Sequence, residues 1–213
     1  MEKNENLDIC KKCGGMCCKK SGCDLWLDDI EDKTLKGVLQ LLASEKYSIV
    51  ALMNFKMING KMCNMPFLYL RARNTGRDAV DLLSFKTKCS LLTENGCEYD
   101  ASKRPSGGLN LIPAENGCYP LEDPLEIVMT WKNYQKVLAK LVKRITGKSV
   151  EKQLECDIEK LFNDILNENL ENVTYRERHE IGPLVTKLAH MYPSILHKSV
   201  SKKQSSELIL QKK

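Results

Sequence analysis

Residues 48–58 read SIVALMNFKMI and residues 61–72 read KMCNMPFLYLRA, with the dipeptide Asn59-Gly60 between them. An Asn-Gly pair between two apolar runs is the strongest short-range hairpin signal, because both residues tolerate the positive φ angles of a tight turn. The sequence therefore predicts two antiparallel strands joined by a two-residue turn. A shorter apolar run, AVDLLSF at 79–85, is a candidate further strand.

Helical patterns flank this hairpin on both sides. On the amino-terminal side, apolar residues recur with helical spacing from Asp28 to Glu45. On the carboxyl-terminal side, one amphipathic helix is predicted over 127–145 and ends at Gly147, and a second covers Val150 to Leu166. A third is predicted from about Arg176 or Pro183 to Tyr192.

These patterns predict an α+β protein in three parts. Residues 1–123 form a small cysteine-rich metal-knuckle domain with the β-hairpin and long loops, and 124–197 form a C-terminal helical bundle. Residues 198–213, which hold five lysines and one glutamate, are predicted to be a basic flexible tail. Within the first part, 86–123 shows little periodicity, so we expect a long loop that a metal would have to order.

Composition and charge narrow the function. The 213 residues have a net charge of +5, and no stretch approaches the ~20 apolar residues that span a bilayer. We therefore predict no membrane partner, and the absence of an apolar signal core at the amino terminus predicts a cytoplasmic protein. Basic residues do not alternate with aromatic residues along a stripe, so nucleic acid is not expected as a partner.

Cysteine is the outlier in the composition. In a reducing compartment, clustered cysteines bind metal more often than they form disulfides. Eight are candidate metal ligands, in a group at residues 10–23 and a second group at 89–118: Cys10, Cys13, Cys17, Cys18, Cys23, Cys89, Cys97 and Cys118. Two thiolates with two residues between them can bind one ion from a tight turn. Eight sulfurs suffice for two four-sulfur sites.

The remaining cysteine patterns refine this hypothesis. Cys17 and Cys18 are neighbours, and their Cα atoms lie too close together for an unstrained disulfide. Cys63 lies in a predicted strand and Cys156 on a predicted helix, so both are interpreted as packing residues and not as ligands.

The two cysteine groups together carry a family resemblance. CKKCGGMCC at 10–18, followed by KCSLLTENGCEYDASKRP at 88–105, resembles the YkgJ family of cysteine-cluster proteins, which is described as a zinc- or iron-chelating domain. The resemblance covers about residues 10–120. It implies that Cys10, Cys13, Cys17, Cys18, Cys89, Cys97 and Cys118 form the metal-binding set, with Arg104-Pro105 as a signature turn; Cys23 is less regular in the family.

This chain departs from the family pattern in two places. Three residues, not two, precede the Cys17-Cys18 pair, and SGGLNLIPAENGC follows Pro105 where many relatives have an early cysteine. The family is also similar to flagellin lysine N-methylase, an S-adenosylmethionine enzyme with a comparable cysteine cluster. The chain shows no glycine-rich strand–turn–helix fingerprint for that cofactor, and the pair Gly107-Gly108 is interpreted as a turn.

Three functional hypotheses remain open. The first is a metal-binding protein with a zinc ion or an iron–sulfur cluster that acts with a protein or peptide client. The second is a metal-dependent protein- or peptide-modifying enzyme resembling the methylase, and the third is a metal chaperone. Thiolates accept both zinc and iron, so the sequence leaves the metal undecided. Four residues after the hairpin form a basic patch that is interpreted as a charged strand end, with an anionic ligand as the alternative: Arg71, Arg73, Asn74 and Arg77.

Overall fold

The computed structural model describes most of the chain and shows an α+β fold. The described residues are 18–19, 22–73, 78–83, 88–94, 96–99, 103–112, 119–120, 123–167 and 175–210. The chain forms two compact units. Unit 1 comprises Met1–Asn54 and Pro66–Ser149, and unit 2 comprises Phe55–Met65 and Val150–Lys213.

The chain forms small antiparallel sheets and helices. The strands are β1 Cys23–Asp24, β2 Tyr47–Leu52, β3 Phe55–Ile58, β4 Lys61–Asn64, β5 Phe67–Ala72, β6 Leu92–Thr93, β7 Gly96–Cys97, β8 Leu111–Ile112 and β9 Tyr119–Pro120. The helices are α1 Leu35–Ala43, α2 Ser106–Leu109, α3 Pro124–Met129, α4 Gln135–Thr146, α5 Val150–Leu166, α6 Tyr175–Met191 and α7 Pro193–Leu210.

The predicted hairpin is confirmed, although it is interrupted on each side. Ile58 pairs with Lys61 across the turn, where Asn59 has φ 50° and Gly60 has φ 73°. Positive φ at both central residues is the geometry of the two-residue turn that matches the right-handed twist of paired strands. After short breaks the pairing resumes between β2 and β5, in the register that this turn sets.

The main sheet of unit 1 has the strand order β1-β5-β2. Outside β2, residues 78–83 run alongside as a parallel neighbour, with a bridge between Ile49 and Val80. The amide of Ile49 donates to Ala79 O at 2.8 Å, and the amide of Asp81 donates to Ile49 O at 3.0 Å. Part of the candidate strand at 79–85 therefore joins this sheet, although as a bridge and not as a full strand.

Helix α4 and the turn before it cover this sheet. Trp131 is fully buried, and its Nε1 donates to Leu25 O at 2.7 Å. The side-chain amide of Gln135 forms two hydrogen bonds with the backbone of Leu68. It accepts from the Leu68 N–H at 2.8 Å and donates to the Leu68 C=O at 2.7 Å. These bonds satisfy groups of β5 beyond the end of the short strand β1, as a buried backbone requires.

Caps define the ends of the unit 1 helices. The Thr34 side chain accepts from the amide of Gly37 at 3.1 Å and so caps the start of α1. Gly147 ends α4 with φ 72°, and its amide donates to Lys143 O at 2.9 Å. The predicted stop at Gly147 is confirmed.

Unit 2 contains the β3–β4 hairpin and helices α5 to α7. The predicted helix from Val150 to Leu166 is confirmed at both ends, and its buried face includes Leu154, Ile158 and Phe162. Helix α7 packs against α5, where Glu159 accepts from Lys198 at 2.9 Å and from Lys202 at 2.5 Å.

Several sequence-based boundaries differ from the structure; for example, the single helix predicted over 127–145 is divided into α3 and α4. The segment predicted as a flexible tail from 198 is helical to Leu210, and two of its lysines, Lys198 and Lys202, form ion pairs with Glu159 of α5 while remaining exposed to solvent. The helices α3 and α4 belong to unit 1, since they contact β5, whereas the sequence grouped them with the later helices in 124–197.

The region predicted as a long loop, 86–123, contains short elements where it is described. The strands β6 and β7 form a small hairpin, β8 pairs with β9, and the one-turn helix α2 lies between the two pairs. In the described part of the chain, no helix is both long enough and apolar enough to cross a membrane.

The glycine that ends α4 gives a direct test of this fold. Gly147→Ala forces an L side chain into the left-handed region, so we expect a loss of about 1 kcal/mol in the free energy of unfolding. The matched control is Gly182→Ala, which places a Cβ inside α6 where, apart from the adjoining helix itself, no described atom lies within 4 Å, and it should stabilise the helix by up to about 1 kcal/mol. Urea denaturation of both variants checks this, and equal effects would contradict the assigned backbone conformations.

Candidate functional site

Cysteines from the two distant groups meet in unit 1. The amide of Cys89 donates to the carbonyl of Cys18 at 2.7 Å, and the two thiols are also hydrogen-bonded to each other. Cys18 lies in a helical turn, and Cys89 lies just before β6 and is buried. Seventy residues of chain separate them in sequence, so this contact is a property of the tertiary structure alone.

Cys23 and Cys97 lie close enough to this pair to interact with it electrostatically. Cys23 opens β1, and Cys97 closes β7, where it pairs with Leu92. Burial raises the pKa of the Cys23 thiol well above its ordinary value, and the carboxylate of Asp24 and the thiol of Cys18 raise it further. The surroundings of Cys23 therefore oppose a thiolate unless a cation compensates its charge.

The pKa of the Cys89 thiol is shifted in the opposite direction, below its ordinary value. The hydrogen bond from the Cys18 thiol lowers the pKa of Cys89 most, burial opposes that effect, and a hydrogen bond from the Leu91 backbone lowers the pKa further. Backbone donors that point at a sulfur stabilise its negative charge, which is how many metal–thiolate turns are arranged. The segment 89–91 therefore favours a thiolate at Cys89.

A tight glycine contact holds α2 against the first strand of the cluster. A Cβ at Gly107 would stand 2.2 Å from Asp24 O, and a Cβ at Gly108 would stand 3.1 Å from the Cys23 sulfur. Distances this short leave no room for a side chain at Gly107. Gly107 and Gly108 thus allow α2 to pack closely against β1 beside Cys23. The sequence suggested only a turn at this position.

Asp29 secures the same contact from the other side. Its carboxylate accepts from the Ser106 amide at 2.9 Å and from the Ser106 hydroxyl at 2.7 Å, and it also accepts from the amide of Trp26 at 2.7 Å. Sequence reasoning missed Asp29, Ser106 and the role of the glycines. The pair Gly107-Gly108, one residue after Arg104-Pro105, was the available signal.

The basic patch predicted after the hairpin is partly neutralised by ion pairs. Arg71 Nε lies 2.5 Å from Asp24 Oδ1, and Arg73 Nη2 lies 2.6 Å from Asp81 Oδ2. The first pair links β1 to β5 directly beside Cys23, and the second fixes residues 78–83 against the end of β5. Asn74 and Arg77 lie outside the described residues, so their part in the patch stays a prediction.

The predicted ligands divide into two sets. The structure brings together Cys18, Cys23, Cys89 and Cys97, whereas Cys10, Cys13, Cys17 and Cys118 lie outside the described residues. The cysteines that are described form no disulfide. Within the described residues, no group of three or more His, Cys, Asp or Glu side chains is arranged so that it could hold a metal ion.

The other candidate residues lie elsewhere in the fold. Cys63 is half-buried on β4. Cys156 is exposed on α5, so it is not the core packing residue that its helical position suggested. His190 and His197 are exposed on α6 and α7 in unit 2, whereas the cysteine cluster belongs to unit 1.

Comparison with known proteins identifies no relative. No family model, no curated protein and no solved structure matches this chain.

The first test of this site concerns its glycine contact. Gly107→Ala pushes α2 away from β1, and overpacking of this kind costs roughly 1–3 kcal/mol. We expect lower thermal stability and faster modification of Cys23 by iodoacetamide, followed by mass spectrometry of the labelled peptide. Gly182→Ala serves as the control, and an unchanged labelling rate at Cys23 in the Gly107→Ala variant would contradict the contact.

The raised pKa of Cys23 predicts a pH dependence in the reduced, metal-free protein. As the pH rises past the ordinary thiol value of 9.0, Cys23 ionises in the unfolded chain but stays protonated in the folded chain. Unfolding then releases a proton, so the contribution of Cys23 to stability is complete at lower pH and falls by up to about 1.4 kcal/mol per pH unit.

Cys23→Ser removes this contribution, and it also removes a charge that raises the pKa of Cys89, so both changes reduce the loss of stability with rising pH. Urea denaturation between about pH 8 and pH 10 should therefore show the wild type losing stability faster than the variant. Parallel pH profiles for the two proteins would contradict the assignment.

Proposed function

We propose that this protein is a cysteine-cluster metal-binding protein whose thiolates hold a zinc ion or an iron–sulfur cluster, and that it acts with a protein or peptide partner. The observation that carries the proposal is the contact between Cys18 and Cys89, with Cys23 and Cys97 beside them. The resemblance of the two cysteine groups to the YkgJ family points the same way.

The chemistry of the described thiols fits a bound cation. Cys23 lies among other thiols and beside Asp24, so its thiolate form needs a positive partner, while the hydrogen bonds to Cys89 favour a thiolate there. A thiophilic ion supplies the missing charge, since metal binding deprotonates its cysteine ligands. Because the described thiols do not by themselves form a site, the proposal requires ligands from Cys10, Cys13, Cys17 and Cys118.

The burial of Cys89 favours a resident ion over a delivered cargo. Cys89 is 4% exposed, and its amide is hydrogen-bonded to the chain on the other side of the cluster. Releasing an ion from such a position requires the two cysteine groups to separate. We therefore propose that the metal stabilises unit 1; structural zinc contributes about 10–16 kcal/mol in small zinc-binding peptides.

The two alternatives from the sequence lack a supporting observation of their own. Gly107-Gly108, the pair noted in connection with S-adenosylmethionine, is in contact with β1. The methylase-like enzyme and the metal chaperone therefore stay predictions. A thermal shift on adding S-adenosylmethionine would favour the enzyme, and rapid metal loss to a chelator would favour the chaperone.

Metal analysis of two cysteine variants tests the proposal. We expect anaerobically purified wild type to contain zinc or iron in near-stoichiometric amount, with broad visible absorption if the centre is iron–sulfur. Cys97→Ser should lose at least half of this metal, because Cys97 belongs to the cluster. Cys156→Ser, at an exposed cysteine on α5, should retain all of it.

A second measurement covers the case in which Cys97→Ser is insoluble. Removing the metal from wild-type protein with a strong chelator under reducing conditions should lower the unfolding temperature. Wild-type protein that contains no metal, or that keeps its unfolding temperature after metal removal, would refute the proposal.

A further inference from the structure

The β3–β4 hairpin of unit 2 has a fixed base and an exposed tip. At the base, the ammonium of Lys187 lies 5.5 Å from the centre of the Phe55 ring, and the side chains of Asn64 and Tyr192 are hydrogen-bonded. At the tip, Met57 is 64% exposed and Met62 is 41% exposed. Large apolar side chains are therefore presented to solvent on a segment that is anchored at its other end.

The register of the hairpin separates its side chains into two faces of different chemistry. Met57 pairs with Met62, so both methionines lie on one face, the same face as Phe55. Lys56 and Lys61 share the opposite face with Ile58. Neither lysine forms an ion pair with any residue that the structure describes, and residues 55–65 include no acidic residue.

The backbone at the tip also has N–H and C=O groups that another strand could pair with. Ile58 and Lys61 close the two-residue turn and are the hydrogen-bonded pair, so the next pair, Met57 and Met62, directs its N–H and C=O groups outward. Among the described strands, β3 and β4 pair only with each other. Each therefore offers an open edge to an added strand.

We propose that the tip of this hairpin binds an extended, acidic segment of a partner protein as an added β-strand. Successive residues of an extended segment point to opposite faces, so alternating apolar and acidic residues would meet the methionine face and the lysine face in turn. Methionine suits such a surface because its flexible, polarisable side chain adapts to different apolar partners.

Two other occupants fit these observations less well. A lipid surface would place the outward-pointing backbone groups of Met57 and Met62 in a medium that cannot hydrogen-bond them. A second copy of the hairpin would bring Lys56 and Lys61 near the same lysines of its partner, and like charges across strands are unfavourable.

The test uses a labelled seven-residue peptide, VEVEVEV, blocked at both ends, and the full-length protein. Fluorescence anisotropy should show saturable binding that weakens as salt is added. The peptide VKVKVKV should bind at least tenfold more weakly. Lys56→Glu/Lys61→Glu should reverse this preference, whereas the matched control Lys136→Glu/Lys140→Glu on α4, with the same charge change, should leave it intact.

Two further variants test the backbone part of the proposal. Met57→Pro removes the outward amide from the β3 edge, and Met62→Pro removes it from the β4 edge. One of the two should reduce binding of VEVEVEV at least tenfold, which identifies the edge used. Circular dichroism checks that both variants remain folded, and metal content should match the wild type because the hairpin contributes none of the proposed ligands.

Several outcomes would overturn the proposal. These are no saturable binding of VEVEVEV, binding that the lysine reversal leaves unchanged, and binding that neither proline variant reduces. Sedimentation that shows self-association through the hairpin would replace the acidic segment with a second copy. Binding to phosphatidylglycerol vesicles that Met57→Ser/Met62→Ser abolishes, without binding of VEVEVEV, would replace it with a lipid surface.

Discussion

The hydrogen-bonding groups of β5 must all be satisfied inside unit 1, and this requirement organises the elements around the strand. On one side β2 pairs with β5 along its whole length. On the other side the two-residue strand β1 reaches only Arg71 and Ala72, and the amide of Leu25 extends the pairing to Leu70. Gln135 then satisfies Leu68, which joins the start of α4 to the sheet. A buried strand with unpaired groups would lose roughly 1–3 kcal/mol for each group.

The cysteine cluster is built on this same edge. Because β1 is held against β5 by backbone pairing and by the ion pair of Asp24 with Arg71, Cys23 has a fixed position. The helix α2 fits over β1 because Gly107 has no side chain, and Asp29 holds the first turn of that helix. The candidate metal site is thus built on the pairing of β1 with β5.

Charge explains why the cluster suits a cation. The described thiols lie with Asp24 and Asp29, and the acidic surroundings of Cys23 raise its pKa together with burial. Beside Cys23, Arg71 forms an ion pair with Asp24. Several thiolates held close together repel one another, so their ionisation is costly unless a cation compensates the charge. The hairpin of unit 2 presents the reverse case, since its lysines lack acidic partners in the described residues.

Local sequence was sufficient for elements whose signals are local. The Asn59-Gly60 turn, the stop of α4 at Gly147 and the limits of α5 follow from backbone preferences and from the period of apolar residues, and all three are observed. The eight candidate ligands could also be named from spacing alone; of these, Cys18 contacts Cys89, and Cys23 and Cys97 interact with them electrostatically, but the described thiols do not by themselves form a metal site.

Other features depended on contacts between residues distant in sequence. The lysine-rich segment from 198 is typical of a solvated tail when only its composition is considered, but its described part, to Leu210, belongs to helix α7, where Lys198 and Lys202 form ion pairs with Glu159. The role of Gly107 exists only because Asp24 lies against it, and the contact of Cys18 with Cys89 depends on the folding of the intervening chain.

The amino-acid sequence alone determined which residue types could bind a metal and where the chain turns. The tertiary structure decided which of them meet, because burial and long-range pairing arise only when the whole chain has folded.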